Sequence, residues 1–154
     1  MADPALRAGF RWAVLTPELI VSDLPASLAF WTNLLGFSIV YERADEGFAY
    51  LELGEAQVML SEEENMDRWI VAPIERPFGR GVNLQISVED VAPVLARLRA
   101  VNWPLHFEPE ERWYRARDVE TGVLQFALCD PDGYLVRLSQ NIGQRPSSAT
   151  SVTP

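Results

Sequence analysis

The sequence predicts an α+β fold made of two tandem β-α-β-β-β modules, and three observations support it. The element order strand, helix and three strands can be traced twice along the 154 residues. At an offset of 67 residues, Asp23 and Leu28 match Asp90 and Leu95 at the two strand-to-helix junctions. At an offset of 78 residues, the later strands also match, as shown by Phe48/Phe126, Ala49/Ala127, Val58/Val136 and Leu60/Leu138.

The first module is expected at about residues 14–62. Leu15–Val21 is short, apolar and rich in strand formers, which predicts its first strand. Apolar residues then recur at helical spacing over Pro25–Leu35, where Asp23 is suited to cap the helix and Gly36 to end it. Three further strands follow, at Phe37–Glu42, Phe48–Leu53 and Ala56–Leu60.

The second module is expected at about residues 81–140. Val82–Val88 predicts a strand and Val91–Val101 a helix, and the remaining extended segments are Pro104–Phe107, Val123–Leu128 and Tyr134–Ser139. We therefore place one domain at 12–142, followed by a disordered tail at 143–154, because the tail is polar and carries two prolines.

The composition restricts the possible functions. A formal net charge of -9, with 13 arginines and no lysine, disfavours nucleic acid and anionic membranes as partners and favours a cationic small molecule. The lone Cys129 excludes an internal disulfide, and the lone His106 excludes a His-paired metal site within one chain. The first nine residues lack the apolar segment of a signal peptide, which predicts a cytoplasmic protein.

Two segments resemble a known superfamily. Val21–Trp31, followed by Leu35–Phe37, resembles the first strand-to-helix junction of the vicinal-oxygen-chelate superfamily, and Phe126–Tyr134 resembles its final hairpin. This superfamily includes glyoxalases, extradiol dioxygenases and bleomycin-resistance proteins. The resemblance implies the glyoxalase/bleomycin resistance fold, in which the two modules form a cupped mixed sheet.

The resemblance also implies where a metal ion would bind. The four ligand positions of the metal enzymes correspond here to Thr16, Met59, Asn83 and Arg137. Threonine and asparagine are poor ligands, methionine prefers soft ions, and arginine is a permanent cation. We therefore expect no metal and no cofactor.

The bleomycin-resistance branch, whose members lack metal ligands, is the closer resemblance. These proteins are dimers that sequester cationic antibiotics between subunits without chemistry. Pro17 lies where the branch has a proline associated with exchange of the N-terminal arm, and Tyr41 and Phe48 lie at or near aromatics that stack on the drug. Trp113 and Tyr114 add aromatic surface close to acidic residues, and adjacent strand residues point to opposite faces, so Trp113 is expected to face the ligand.

Four more side chains complete the expected ligand-binding set. Met59, Asn83 and Arg137 should face the cup, and Trp69, in a proline-bearing loop, suggests a lid or a dimer contact. A buried arginine needs an acidic partner, so Arg137 should form a structural ion pair, with a ligand carboxylate or phosphate as the alternative.

The sequence thus predicts a non-enzymatic, homodimeric binding protein that sequesters a bleomycin-like aromatic cation. Two alternatives stay open: a metal-dependent enzyme of the glyoxalase or dioxygenase kind, and a binder of another small metabolite.

Overall fold

The computed structural model describes residues 9–65 and 67–147, which divide into two compact units. The first unit contains the described residues up to Gly81 together with Asp130–Tyr134. The second contains Val82–Cys129 and the described residues from Leu135 onward. Each unit carries its own four-stranded mixed sheet.

The first unit follows the order strand, helix and three strands. Strand β1 pairs parallel with β4, and the sheet order is β1-β4-β3-β2. Its elements are β1 (Glu18–Val21), α1 (Leu24–Ala29) with a π-helical continuation (Phe30–Leu34), β2 (Ser38–Arg43), β3 (Phe48–Leu53) and β4 (Ala56–Glu62).

The second unit repeats this plan, with β5 parallel to β8 and the sheet order β5-β8-β7-β6. Its elements are β5 (Asn83–Val88), α2 (Ala92–Ala100), β6 (Leu105–Ala116), β7 (Val119–Cys129) and β8 (Leu135–Pro146). Because the two sheets share strand order and pairing sense, the predicted α+β fold of two tandem modules is confirmed.

Local sequence signals explain the first helix and the face that it covers. The Asp23 carboxylate accepts a hydrogen bond from the Ala26 backbone N–H at 2.8 Å, and the chain leaves the helix at Gly36, where φ is 91°. Trp31 of this helix is fully buried, as are Val21 and Leu60 on one face of the sheet. Alternation along the strands leaves the other face of that sheet available for a site.

Several boundaries differ from the sequence-based expectations. Strand β1 begins at Glu18 rather than Leu15, and the last three strands are longer than predicted, with β6 extending to Ala116. Gly143–Pro146, the start of the predicted tail, belongs to β8, where Gly143 pairs with Gly122 and Pro146 with Val119. The prediction of disorder from 143 onward is therefore wrong for these four residues, because pairing with β7 satisfies their polar backbone; residues 148–154 lie outside the described residues.

None of the helices in the described residues has the length and apolar character needed to cross a membrane.

Candidate ligand-binding site

The strand register of the first unit brings the predicted aromatic residues to the face of the sheet opposite Val21 and Leu60. Glu18 is paired with Met59, Met59 with Tyr50, and Tyr50 with Tyr41. Directly paired residues point to the same side of a sheet. We call this side the open face of the first sheet; it also carries Phe48, Arg43 and Ser61.

Three aromatic rings form a continuous surface on this open face. Tyr41 and Tyr50 are stacked with centroids 5.4 Å apart and an interplanar angle of 15°, and Tyr41 lies 5.7 Å from Phe48. Phe48 is buried and Tyr41 half-buried. The partly exposed ring of Tyr41 therefore offers a flat surface that suits a planar ligand.

A cavity of about 530 Å³ lies over this surface, and four of the predicted site residues line it. They are Tyr41, Phe48, Met59 and Trp69, and Trp69 reaches the cavity from the loop after β4 while remaining 61% exposed. The other lining residues are polar or charged: Glu18, Arg43, Asp45, Glu46 and Ser61. Among the described residues, the cavity therefore joins aromatic surface to three carboxylates and one guanidinium.

Arg43 already occupies part of the aromatic surface. Its guanidinium carbon lies 4.0 Å from the centroid of the Phe48 ring and 6.0 Å from that of Tyr41. The guanidinium also hydrogen-bonds the carboxylate of Glu46, which raises the pKa of Arg43. On the other side of the cavity, Glu18 accepts a hydrogen bond from the Ser61 hydroxyl at 2.7 Å.

Arg43 and Glu18 were not among the residues predicted for the site. Both could have been found from strand alternation, because Arg43 is two residues beyond Tyr41 and Glu18 is directly paired with Met59.

The segment before β1 packs against its own sheet. Trp12 makes edge-to-face contacts with Tyr41 and Tyr50, at centroid distances of 6.1 and 5.1 Å. The buried Gln57 amide accepts a hydrogen bond from the backbone N–H of Ala13 and donates one to the carbonyl of Arg11, each at 2.7 Å. These bonds fix the arm beside the aromatic surface within one chain.

In the second unit, the register divides the predicted site residues between the two faces of the sheet. Arg137 is paired with Gln85 and Ala127, and alternation puts Asn83 on the same side. Tyr114 also lies on this side, where its hydroxyl accepts a hydrogen bond from the Gln125 amide at 2.8 Å. We call this side the open face of the second sheet.

Trp113 lies on the opposite face of the second sheet, against our expectation. It is paired with Gly122, on the same side as the fully buried Phe126, and Arg145 lies 4.1 Å from the centroid of its ring. The structure therefore groups Tyr114, and not Trp113, with Asn83 and Arg137.

The positions that the resemblance equates with metal ligands carry side chains that do not suit a divalent ion. The Tyr50 hydroxyl donates to Gln57 at 2.6 Å, so the Thr16 hydroxyl, 3.1 Å from Tyr50, is the donor in that contact. Met59 supplies a thioether and Arg137 a cation, neither of which suits a hard divalent ion. In the part of the chain that the structure describes, no three His, Cys, Asp or Glu side chains are grouped as a metal site.

Comparison with known proteins identifies a matching superfamily and a related bleomycin resistance protein. The profile of the Glyoxalase/Bleomycin resistance protein/Dioxygenase superfamily matches residues 13–138. A bleomycin resistance protein of Geobacillus stearothermophilus is 26% identical over 136 residues, covering 82% of this chain and 95% of that protein.

Solved structures support the same fold. TioX from Micromonospora sp. ML1 superposes with a TM-score of 0.66 at 16% identity, covering 85% of this chain and 100% of that one. A lactoylglutathione lyase from Agrobacterium tumefaciens gives a TM-score of 0.57 at 20% identity, covering 83% and 92% of the respective chains. At these identities the likeness establishes the fold alone.

Proposed function

The chain belongs to the Glyoxalase/Bleomycin resistance protein/Dioxygenase superfamily, and from this premise we propose that it is a non-enzymatic binding protein of the bleomycin-resistance type. Its ligand is a flat aromatic cation, which it sequesters without chemical conversion. The family contains both enzymes and binding proteins, so the choice between them depends on the site.

One observation carries the proposal: the position of Arg43 on the aromatic surface. A guanidinium is itself a planar cation, and here it lies 4.0 Å from the Phe48 ring centroid with the Glu46 carboxylate bonded to it. Planar cations are attracted to the electron-rich faces of aromatic rings, and this attraction strengthens when the pair is desolvated. The site thus displays, with one of its own side chains, the chemistry that would recognise a flat cationic ligand.

The charge of the cavity supports the same class of ligand. Of the lining residues that the structure describes, Glu18, Asp45 and Glu46 are acidic and Arg43 is basic, and the whole chain has a formal net charge of -9. A cationic ligand therefore enters a favourable field, whereas an anionic one would have to approach these carboxylates.

Binding would proceed by exchange of one planar cation for another. The ligand stacks on Tyr41 and Phe48 in the place of the Arg43 guanidinium, and its amines meet the carboxylates of the cavity. Arg43 can leave at low cost because its side chain is already 44% exposed. Trp69, at the rim, then covers the ligand from the solvent side.

We further propose that the protein functions as a homodimer with the ligand at a crevice between subunits; the exposed apolar side chains of Val14 and Leu15, just before Pro17, support such an association. Asn83, Tyr114 and Arg137 belong to the second sheet, and their part in binding is a proposal of its own, developed below.

Isothermal titration calorimetry with bleomycin, and with proflavine as a simple planar aromatic cation, tests the proposed ligand class. We expect dissociation constants in the micromolar range, about -8 kcal/mol. Tyr41→Ala should weaken binding about tenfold or more, because it removes one of the two rings on which the ligand stacks. Arg43→Gln should instead strengthen binding several-fold, since it removes the competing guanidinium.

Arg80→Gln is the matched control, because it removes the same charge from a loop arginine outside the cavity. Binding of proflavine without bleomycin would point to a flat cation other than the drug. The proposal would be contradicted if neither probe bound at about 1 mM, or if Arg43→Gln and Arg80→Gln bound the probes with equal affinity. One tightly held divalent ion per chain, in protein purified without chelator, would also contradict it.

A further inference from the structure

The open face of the second sheet holds a charged side chain without a charged partner. Arg137 lies on β8, between Gln85 of β5 and Ala127 of β7, and is half-buried. Within residues 9–65 and 67–147, no carboxylate lies within 4.0 Å of its guanidinium. The structural ion pair expected from the sequence is therefore absent from the described residues.

The guanidinium of Arg137 is also poorly hydrogen-bonded. Its Nε is fully buried and has no hydrogen-bond partner, while Nη1 donates to the Gln125 amide oxygen at the long distance of 3.4 Å. A buried donor without a partner costs about 1–3 kcal/mol, and more for a charged group. Buried polar groups are normally met by an acceptor, and among the described residues the Nε of Arg137 has none.

The nearby carboxylate of Glu110 is bound to other side chains and not to Arg137. Glu110 is the nearest acidic residue in the hydrogen-bond network, but it bonds Arg112 at 3.1 Å and Gln125 at 3.2 Å. The bond to Arg112, and then that to Gln125, lowers the pKa of Glu110, so this carboxylate stays ionised and committed to Arg112. It does not neutralise Arg137.

The hydrogen bonds of Gln125 and Tyr114 fix the orientation of the polar groups around Arg137. The Gln125 amide nitrogen donates to Glu110 and Tyr114, which turns its oxygen towards Arg137. The Tyr114 hydroxyl accepts from Gln125 and therefore keeps its own proton for donation. On the neighbouring strand β5, alternation brings the neutral amides of Asn83 and Gln85 to the same face.

We propose that Arg137 is the centre of an anion-binding subsite on the open face of the second sheet. Its ligand is an oxyanion of a small molecule, a carboxylate or a phosphate, held at the Nη edge of the guanidinium, because the Nε atom is buried. This subsite does not rest on the proposed function, because all of its residues belong to the second sheet and its ligand has the opposite charge.

The subsite is tested by NMR titration of the protein with inorganic phosphate and, separately, with acetate, following the Nε–H resonance of Arg137. A buried guanidinium N–H gives an observable signal, and its shift reports an acceptor arriving at the same guanidinium group. We expect saturable binding with a dissociation constant of about 1–10 mM for at least one anion. The anion that binds more tightly identifies the source as phosphate or carboxylate.

Two substitutions separate two-point recognition from simple charge. Arg137→Gln should abolish saturable binding, followed through the backbone amides of β5 and β8. Arg137→Lys should weaken it about tenfold, because lysine keeps the charge but loses the paired donors. Should Arg137→Gln fail to fold, Arg137→Lys alone carries the comparison.

Arg145→Gln is the matched control. Arg145 is on the same strand but on the opposite face of the sheet, where it pairs with Glu120 at 2.6 Å, and its loss should change anion affinity less than twofold. The proposal is overturned if neither anion moves the Arg137 resonance, if Arg137→Lys binds as tightly as the native protein, or if Arg145→Gln weakens binding as much as Arg137→Lys does. Substitution of Arg137 should leave the affinity of the first sheet for bleomycin and proflavine unchanged. Each of the two proposals can therefore be contradicted without affecting the other.

Discussion

Trp113 shows how one residue position depends on its partner across the sheet. Its ring lies over Gly122, and a Cβ atom built at position 122 would come within 2.7 Å of the Trp113 Cη2 atom. Heavy atoms of a rigid ring and a strand cannot approach so closely, so either the ring or the strand must move. The absence of a side chain at Gly122 is therefore what allows Trp113 to lie flat on the sheet.

Gly122→Ala should accordingly destabilise the protein by about 1–3 kcal/mol, the usual cost of overpacking. Chemical denaturation followed by circular dichroism would measure this. Gly54→Ala is the comparison, because it separates backbone strain from steric overlap. Gly54 has open space around it, but its φ of 60° is one that alanine tolerates poorly. A double-mutant cycle tests the contact. The variant that carries both Gly122→Ala and Trp113→Ala should lose less unfolding free energy than the sum of the losses of the two single variants, because the clash needs both side chains. A loss equal to that sum would argue against the contact.

The same residue marks a limit of what the sequence predicts. The adjacency of Trp113 and Tyr114 correctly implies that they face opposite sides. It does not say which of them faces which side. That choice depends on the pairing of Trp113 with Gly122 and of Glu110 with Gln125, and β6 contains register shifts before Glu110 that local patterning does not reveal. By contrast, Tyr41 and Phe48 were predicted from the resemblance, because they lie at or near the drug-stacking aromatics of the bleomycin-resistance branch, and both line the cavity.

At the scale of elements, the turn Asp130–Tyr134 belongs to the first unit although its sequence lies within the second module. Asp130 Oδ1 accepts hydrogen bonds from three consecutive backbone N–H groups, those of Asp132, Gly133 and Tyr134, at 2.9–3.0 Å. The Tyr134 hydroxyl donates to the carbonyl of Ile20 on β1 at 3.1 Å. The turn is thus fixed both internally and against the first strand.

Tyr134→Phe should cost about 1 kcal/mol, the typical net contribution of one hydrogen bond. Burial raises the pKa of Tyr134 to about 12, from 10.0. Because the folded pKa is the higher one, the stabilisation is complete below pH 10 and is lost as the pH rises towards 12. The difference in unfolding free energy between native protein and Tyr134→Phe should therefore shrink across this interval.

Urea denaturation of both proteins between pH 8 and about 12 tests this dependence. Tyr114→Phe is the control, because its hydroxyl is on an exposed side chain and has a side-chain partner. A difference that stays constant over the range, or that grows with pH, would show that Tyr134 does not titrate against a buried environment.

Element boundaries show the same contrast between local and long-range information. The first helix was predicted closely, because a cap, an apolar spacing and a glycine are all local signals. Strands β6, β7 and β8 are longer than predicted because the residues beyond their apolar cores are polar and charged, as in Glu110–Arg115. Such residues enter a strand through pairing with distant partners, which the sequence does not reveal.

At the scale of the whole molecule, the proposed homodimer needs a surface to associate, and the N-terminal arm provides apolar candidates. Val14 and Leu15 are 109% and 83% exposed, next to the Pro17 position at which arm exchange was expected. Each sheet also has two edge strands in its own pairing, β1 and β2 in the first and β5 and β6 in the second. Exposed edges and apolar arms are features that association can cover.

Sedimentation equilibrium of the native protein at micromolar concentration should therefore give a dimer, and the double substitution Val14→Asp with Leu15→Asp should shift it towards monomer. Placing charge on an apolar contact removes the gain from burial and adds a desolvation cost, which together weaken association by about tenfold or more. Val71→Asp is the matched control, since Val71 is also fully exposed (103%) but lies in the loop after β4. A native protein that is monomeric at these concentrations would contradict the intersubunit crevice, and the aromatic cavity of the first sheet would then be tested as a site within one chain. A dimer that both variants retain equally would place the interface away from the arm.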